Sequence, residues 1–214
     1  MTIVRRAAPA AALLALLAAG CARDGTLTDT GVYVTRTGCP QVAIPAATGD
    51  ITLFDPANSR EARAIDVVAT ITNIRVTCSE DAANVVSTAT FDVLATRRDA
   101  GPARQVVLPY FAVAVQGGTN ITAKKVGAVA LDFPAGQIRA QTSSQTTTRI
   151  NRASVALPAD IQRELTRERK PGDPDAAVDP LSDPKVREAV ARATYEQLIG
   201  FQLTPDQLRY NATR

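Results

Sequence analysis

The chain has 214 residues, 24 of them basic and 21 acidic, with no His, no Trp, four Tyr and five Phe. Absence of histidine excludes Ser-His-Asp and Cys-His nucleophile activation, imidazole acid–base catalysis and His-containing zinc sites. Near-balanced charge and few aromatics leave neither a basic patch nor a stacking platform for nucleic acid. Mechanisms using carboxylates, Lys, Tyr or Ser alone survive, and the expectation is a protein that is not an enzyme and uses no cofactor or metal.

The first twenty residues have the three parts of a secretory signal: Arg5 and Arg6, an uncharged run from Ala7 to Leu17, then small residues Ala18, Ala19 and Gly20. At about 13 apolar residues the run is shorter than the roughly 20 that a membrane-spanning helix needs. Two cleavage patterns compete. Ala18-x-Gly20 satisfies the ordinary small-x-small rule, whereas Leu17-Ala18-Ala19-Gly20-Cys21 is the ending at which a lipidated cysteine becomes the new N-terminus. Cysteine parity favours the second. Of Cys21, Cys39 and Cys78, modification of Cys21 leaves an even pair in an oxidising compartment. Cleavage between Gly20 and Cys21 and lipidation of Cys21 are therefore expected. Loss of Arg5 and Arg6 leaves the remaining chain close to neutral.

Cys39 and Cys78 admit two roles. A redox pair would normally take the Cys-x-x-Cys form at a helix start. These two are far apart in sequence, and Cys78 ends a β-like run, so a structural disulfide is expected. Residues 21 to 31 form a polar, turn-prone tether after the anchor, whose ten residues past Cys21 span at most roughly 35 Å. Ala22 stands where an Asp would resemble an inner-membrane retention signal, so outer-membrane sorting is expected.

From Val32 to about Ile150 the pattern is a succession of strands. Ile65, Val67, Ala69 and Ile71 share one face, then the phase changes at Asn73 and Ile74, Val76 and Cys78 take over, which predicts a bulge or bend. Val85 to Ala95 alternates, with odd positions mainly apolar. Val106 to Val115 is apolar at nearly every position and predicts a strand covered on both faces, with Pro109 arguing for an edge or an irregularity. Gly117-Gly118-Thr119-Asn120 is hairpin chemistry leading into Ile121 to Phe133. Asp99 to Pro102 and Pro134 to Gly136 punctuate the neighbouring links. Ile138 to Ile150 is polar on both faces, as either a solvated strand or a ligand-facing edge, the solvated strand being the plainer account.

A charged excursion, about residues 159 to 193, interrupts the β pattern. Ala159 to Lys170 reads as a short helix, Pro171 to Pro184 as a loop with three Asp-Pro steps, and Asp183 to Ala193 as a second helix with Asp183 as N-cap and Pro184 at its first position. Asp173, Asp175, Asp179 and Asp183 lack the Gly and terminal Glu of an EF-hand loop, so a solvated flexible loop is expected rather than a calcium site. Tyr195 to Leu203 returns to strand, and Thr204-Pro205-Asp206-Gln207 is a capping box opening a last short helix.

The ending Ile199-Gly200-Phe201-Gln202-Leu203-Thr204-Pro205-Asp206-Gln207-Leu208-Arg209-Tyr210-Asn211, with the Cys21 motif, Cys39-Pro40, Cys78 and Leu108-Pro109-Tyr110-Phe111, resembles a family of bacterial lipoproteins with no assigned activity. The resemblance covers most of the chain beyond the signal, except the 159 to 193 excursion. It implies a periplasm-facing, anchored domain and no catalytic residue.

About seven strands with frequent turns and a disulfide predict a single mainly β domain over residues 32 to 211, an Ig-like or fibronectin-like β-sandwich with short helices near its C-terminus. The functional expectation is a non-enzymatic, lipid-anchored cell-envelope protein. It would contact the membrane through its N-terminal lipid and an envelope protein through an exposed sheet edge or the 138 to 184 region. The alternative is a carrier holding a lipid or small apolar ligand in a cavity of the β fold.

Overall fold

The computed structural model describes residues 26–28, 31–33, 36–170 and 172–213. Cys21, Gly20 and the signal segment lie outside them. The short strands β1 (Thr26–Thr28) and β2 (Gly31–Tyr33) pair with each other inside the stretch expected to be tether and domain entry. The remaining strands form two four-stranded sheets facing each other as a β-sandwich. One sheet has the order β3 (Gln41–Ala43), β10 (Tyr195–Phe201), β7 (Arg104–Gln116), β8 (Asn120–Phe133). The other has β4 (Asp50–Phe54), β5 (Ile65–Glu80), β6 (Asn84–Arg97), β9 (Arg139–Asn151). The chain crosses the gap after β3, after β6, after β8 and after β9. Strand β9 returns to β6, and β10 returns to β7, which interlocks the sheets as a Greek key.

Alternation decides what lies between the sheets. On β6 the odd positions Val85, Ser87, Ala89, Phe91, Val93 and Ala95 all face inward and are buried. Ala89, Phe91, Val93 and Ala95 meet Leu108 and Tyr110 of β7, Leu131 and Phe133 of β8, and Ile199 and Phe201 of β10 in one core. Tyr110 packs edge-on against Phe91 with ring centroids 5.3 Å apart. The phase change in β5 is a bulge at the expected place: Asn73 takes φ 51° and the register to β6 shifts between Thr72 and Arg75. At the β7–β8 turn Gly117 and Gly118 take φ 62° and 79°, a backbone shape that side-chain-bearing residues resist.

The expected cover of Val106 to Val115 on both faces needs correction: only the second half of β7 is covered on both faces, since Val107 and Pro109 are exposed. Of the edge or irregularity expected at Pro109, the strand is not an edge, since β7 lies between β10 and β8, but the β10 ladder breaks off beside it. Pro109 fits because β10 ends at Phe201, opposite Tyr110, one residue short of it. Its carbonyl accepts from Gln202 N at 2.9 Å, and its nitrogen, on the same side, faces no continuing ladder.

The sandwich is stapled along both of its long sides. On one, Cys39 just before β3 is disulfide-bonded to Cys78 of β5, with Cα atoms 6.1 Å apart, linking a strand of each sheet. Helix α4 (Pro205–Thr213) closes the same side. It starts with the expected reciprocal cap, Gln207 N to Thr204 Oγ1 at 3.2 Å and Thr204 N to Gln207 Oε1 at 2.9 Å. Asn211 Nδ2 then donates to the carbonyls of Ala47 and Asp50. On the other side, Arg97, 5% exposed, donates from Nε to Gln137 O, from Nη1 to Pro102 O, and from Nη2 to Gly101 O and Pro134 O. One guanidinium thus joins the β6–β7 and β8–β9 crossovers.

The excursion is folded. Helices α1 (Arg152–Val155), α2 (Ala159–Thr166) and α3 (Pro184–Arg192) appear, and Ile161 and Leu165 pack with Val186 and Ala189 in a small core of their own. Its aspartates are used locally. Asp173 accepts from Lys170 N, Asp175 pairs with Arg167, Asp179 caps Leu181 N, and Asp183 caps Lys185 N as expected.

Gly200 is required by close approach. A Cβ there would lie 2.7 Å from Thr48 Cβ and 2.9 Å from Phe111 Cζ, and Thr48 is fixed by its hydroxyl to Pro45 O and its carbonyl to Phe201 N. Gly200→Ala is expected to lower the unfolding free energy by about 1–3 kcal/mol in urea titration, because the turn must move. Wild-type stability in that variant would show that the turn yields freely.

Candidate interaction surface

The two outer faces of the sandwich differ in chemistry. On the β4-β5-β6-β9 sheet the outward positions are largely Thr, Asp, Arg, Ser and Gln, and they bond to one another. Asp92 accepts from Asn73 Nδ2 at 2.6 Å and from Ser143 Oγ at 2.6 Å, while the hydroxyls of Thr88 and Thr147 lie 2.9 Å apart. These contacts, Ser143 first and then Asn73, hold the Asp92 carboxyl below its usual range. Backbone N–H donation from Ala83 and Asn84 does the same to Asp81 in the β5–β6 turn. A depressed carboxyl contributes stability above its ordinary titration range and loses it as pH falls through its folded value. With no His in the chain, Tm is expected to be flat from about pH 6 to 8 and to fall below about pH 4. A thermal-unfolding series across pH checks this, and a step between pH 6 and 8 would contradict it.

The outer face of the β3-β10-β7-β8 sheet is apolar. Direct cross-strand pairing places Val107 beside Ala130, Pro109 beside Ala128 and Phe111 beside Val126, and opposed residues share a face. Leu108, Tyr110 and Ala112 point into the core, so this set points out. Val107 is 57% exposed and Val126 56%, with Pro109, Ala128 and Ala130 also exposed. Phe111 lies over Gly200, with Lys124 Nζ 5.9 Å from its ring centroid. Strand β8 is the sheet's edge, and its first seven residues, Asn120 to Val126, are exposed throughout.

Two surface clefts lie elsewhere. One of about 300 Å³ is lined by Arg36 to Cys39, Gln41 and Ala193 to Tyr195. Arg36 Nη2 donates to Thr194 Oγ1 at 2.7 Å beside the C-terminal carbonyls of α3, and burial lowers its pKa from the ordinary value. The favourable place for a cation there is the helix end itself. The other cleft, about 340 Å³, is lined by Asp55, Asp66, Asp99 and the arginines 97, 98 and 104. Its carboxylates Asp66 and Asp99 are 3.0 Å from Arg104 and 2.9 Å from Arg98, so they hold arginines rather than face a reacting atom.

The expected site residues fall as follows. Cys39 and Cys78 come together, whereas the 138 to 184 region does not form one surface. Strand β9 is an edge whose outward Ser143 and Thr147 bond to β6, with Thr146 and Ile150 buried inward, and the helical excursion packs on itself. No group of three or more His, Cys, Asp or Glu able to hold a metal occurs among the described residues. The apolar outer face escapes sequence reasoning because uninterrupted hydrophobicity in β7 is the same signal whether the second face is covered or open. Apolar residues at the alternate positions Val126, Ala128 and Ala130, outside the buried Val129 and Leu131, are the available hint. No family model, curated protein or solved structure matches the chain.

Proposed function

We propose that this chain is a non-enzymatic, lipid-anchored protein of the bacterial cell envelope that faces the periplasm and works as an interaction module, with Cys21 as the acylated residue. The observation that carries the interaction role is the contrast between the two sheets, one outer face mostly polar and cross-bonded around Asp92 and the other apolar and open around Pro109 and Ala128. Contiguous exposed apolar surface of this kind marks contact sites. The carrier alternative needs a cavity inside the β fold, and the space between the sheets is occupied by Val67, Phe91, Leu131, Phe133, Ile199 and Phe201, each essentially inaccessible. The absence of histidine and the arginine-bound carboxylates favour a non-catalytic role.

The test has two readouts. Metabolic labelling with palmitate, with mass spectrometry of the N-terminal peptide, is expected to find acylated Cys21 and no label in Cys21→Ser; an unmodified thiol there refutes the anchor. Crosslinking in the native envelope is expected to trap a reproducible neighbour through β7 and β8. Capture through neither strand refutes the interaction face.

A further inference from the structure

We infer that the apolar outer face of β7 and β8 receives a second copy of this chain, in a two-fold dimer centred on Pro109 and Ala128. This deepens the interaction role proposed above by naming the partner. Charge of opposite sign flanks the apolar centre of this face. Pro109 is directly opposite Ala128, with Val107↔Ala130 on one side and Phe111↔Val126 on the other. Continuing outward along β8, the same face carries Lys124 at one end and Asp132 at the other, each four residues from Ala128 and both exposed. Neither has an ion-pair partner among the described residues: Asp132 accepts from Gln105 Nε2 at 2.8 Å, and Lys124 rests near Phe111.

An isologous interface requires a surface complementary to itself under a two-fold rotation. A two-fold axis lying between the facing sheets, perpendicular to β8 and passing over Ala128, exchanges the two ends of the strand. Lys124 of each copy then sits over Asp132 of the other, and the apolar pairs on either side of the centre meet each other. Packed sheets are about 10 Å apart, a gap that a lysine side chain and an aspartate span from opposite sides. Opposite charges at the two ends and an uncharged centre are what distinguish a self-complementary face from one shaped for a basic or acidic partner.

Area sets the strength. Two strands about 4.8 Å apart over seven residues of about 3.4 Å give roughly 230 Å² per copy, less than a third of the ~800 Å² per partner in a standard interface. A weak, reversible dimer follows. Confinement of anchored copies to a membrane surface raises their effective concentration and favours pairing there.

The experiment uses the chain from residue 21 onward with Cys21→Ser, since every described element lies after residue 25, so its outcome does not depend on acylation. Sedimentation equilibrium at low salt is expected to show monomer–dimer exchange. Lys124→Asp and Asp132→Lys should each weaken the dimer at least tenfold while keeping the wild-type circular dichroism. The double variant, and an equimolar mixture of the two singles, should both restore it, because each rebuilds opposite charges across the axis. A monomer at all concentrations to about 1 mM overturns the dimer, as does a dimer indifferent to these charges. In either case, trapping of a different protein through β7 and β8 in the envelope would leave the broader interaction role standing.

Discussion

Arg97→Ala is expected to lower the unfolding free energy by about 3–5 kcal/mol, as much as truncating one of the buried core phenylalanines. The guanidinium is nearly inaccessible and its hydrogen bonds end on four backbone carbonyls, Gly101, Pro102, Pro134 and Gln137, contributed by two crossovers that otherwise touch through Gly136 N to Gly101 O. Truncation leaves those four acceptors without the donor that gathers them, and it removes the cation from above the Phe133 ring, 5.4 Å away. Arg97→Lys separates geometry from charge. An ammonium on a flexible stem reproduces at most part of a planar fork, so it should recover less than half of the loss. Equilibrium urea unfolding measures both variants. If Arg97→Ala costs less than about 1 kcal/mol, the two crossovers hold their shape without it.

Features encoded within a few residues are legible in the sequence itself. Asp183 before Pro184, Thr204 three places before Gln207, the phase change at Asn73 and the Gly117-Gly118 pair each specify local geometry through capping, backbone shape or register, and each takes the form the sequence predicts. Features that depend on what a strand meets are not legible in this way. Arg97 continues the odd, inward phase of Val85 to Ala95, but a charged residue closing an alternating run ordinarily signals its end, and only the fold shows two loops arranged around it. Gln197 sits in phase with Tyr195, Ile199 and Phe201, and is buried because Ser87 and Thr146 of the opposite sheet reach it, with Ser87 Oγ donating to its Oε1 at 2.9 Å. The candidate surface has the same cause. Val107 and Phe111 look alike in sequence to Val113 and Val115, yet the first pair faces out over an open sheet while the second is buried.

Removing the Cys39–Cys78 bond, by reduction or by Cys39→Ser with Cys78→Ser, is expected to cost about 4 kcal/mol, as loop-closure entropy predicts for a closed loop of this length. The residues it encloses explain why the cost falls on the whole domain. They include β3, β4 and most of β5, so the bond fixes the first strand of one sheet against the first two of the other. Strand β3 is three residues long and pairs only with β10, through Gln41 to Ala43, too little ladder to hold itself in place. Without the bond the chain ahead of β3 is expected to detach first, with hydrogen exchange at Gln41 to Ala43 accelerating more than at β6 or β7. Uniform acceleration across all strands would show instead that the bond acts only through the unfolded chain. The same measurement bears on Cys21. In the unreduced protein a thiol titration is expected to find no free thiol when Cys21 carries its acyl group, and one in a chain whose Cys21 is left unmodified, since the other two cysteines are consumed by each other. Cys78→Ser alone then supplies the sharper contrast. It exposes Cys39 as a single reactive thiol in the anchored protein, whereas in an unanchored chain Cys39 and Cys21 are free to pair, and a disulfide-linked N-terminal peptide would refute the anchor.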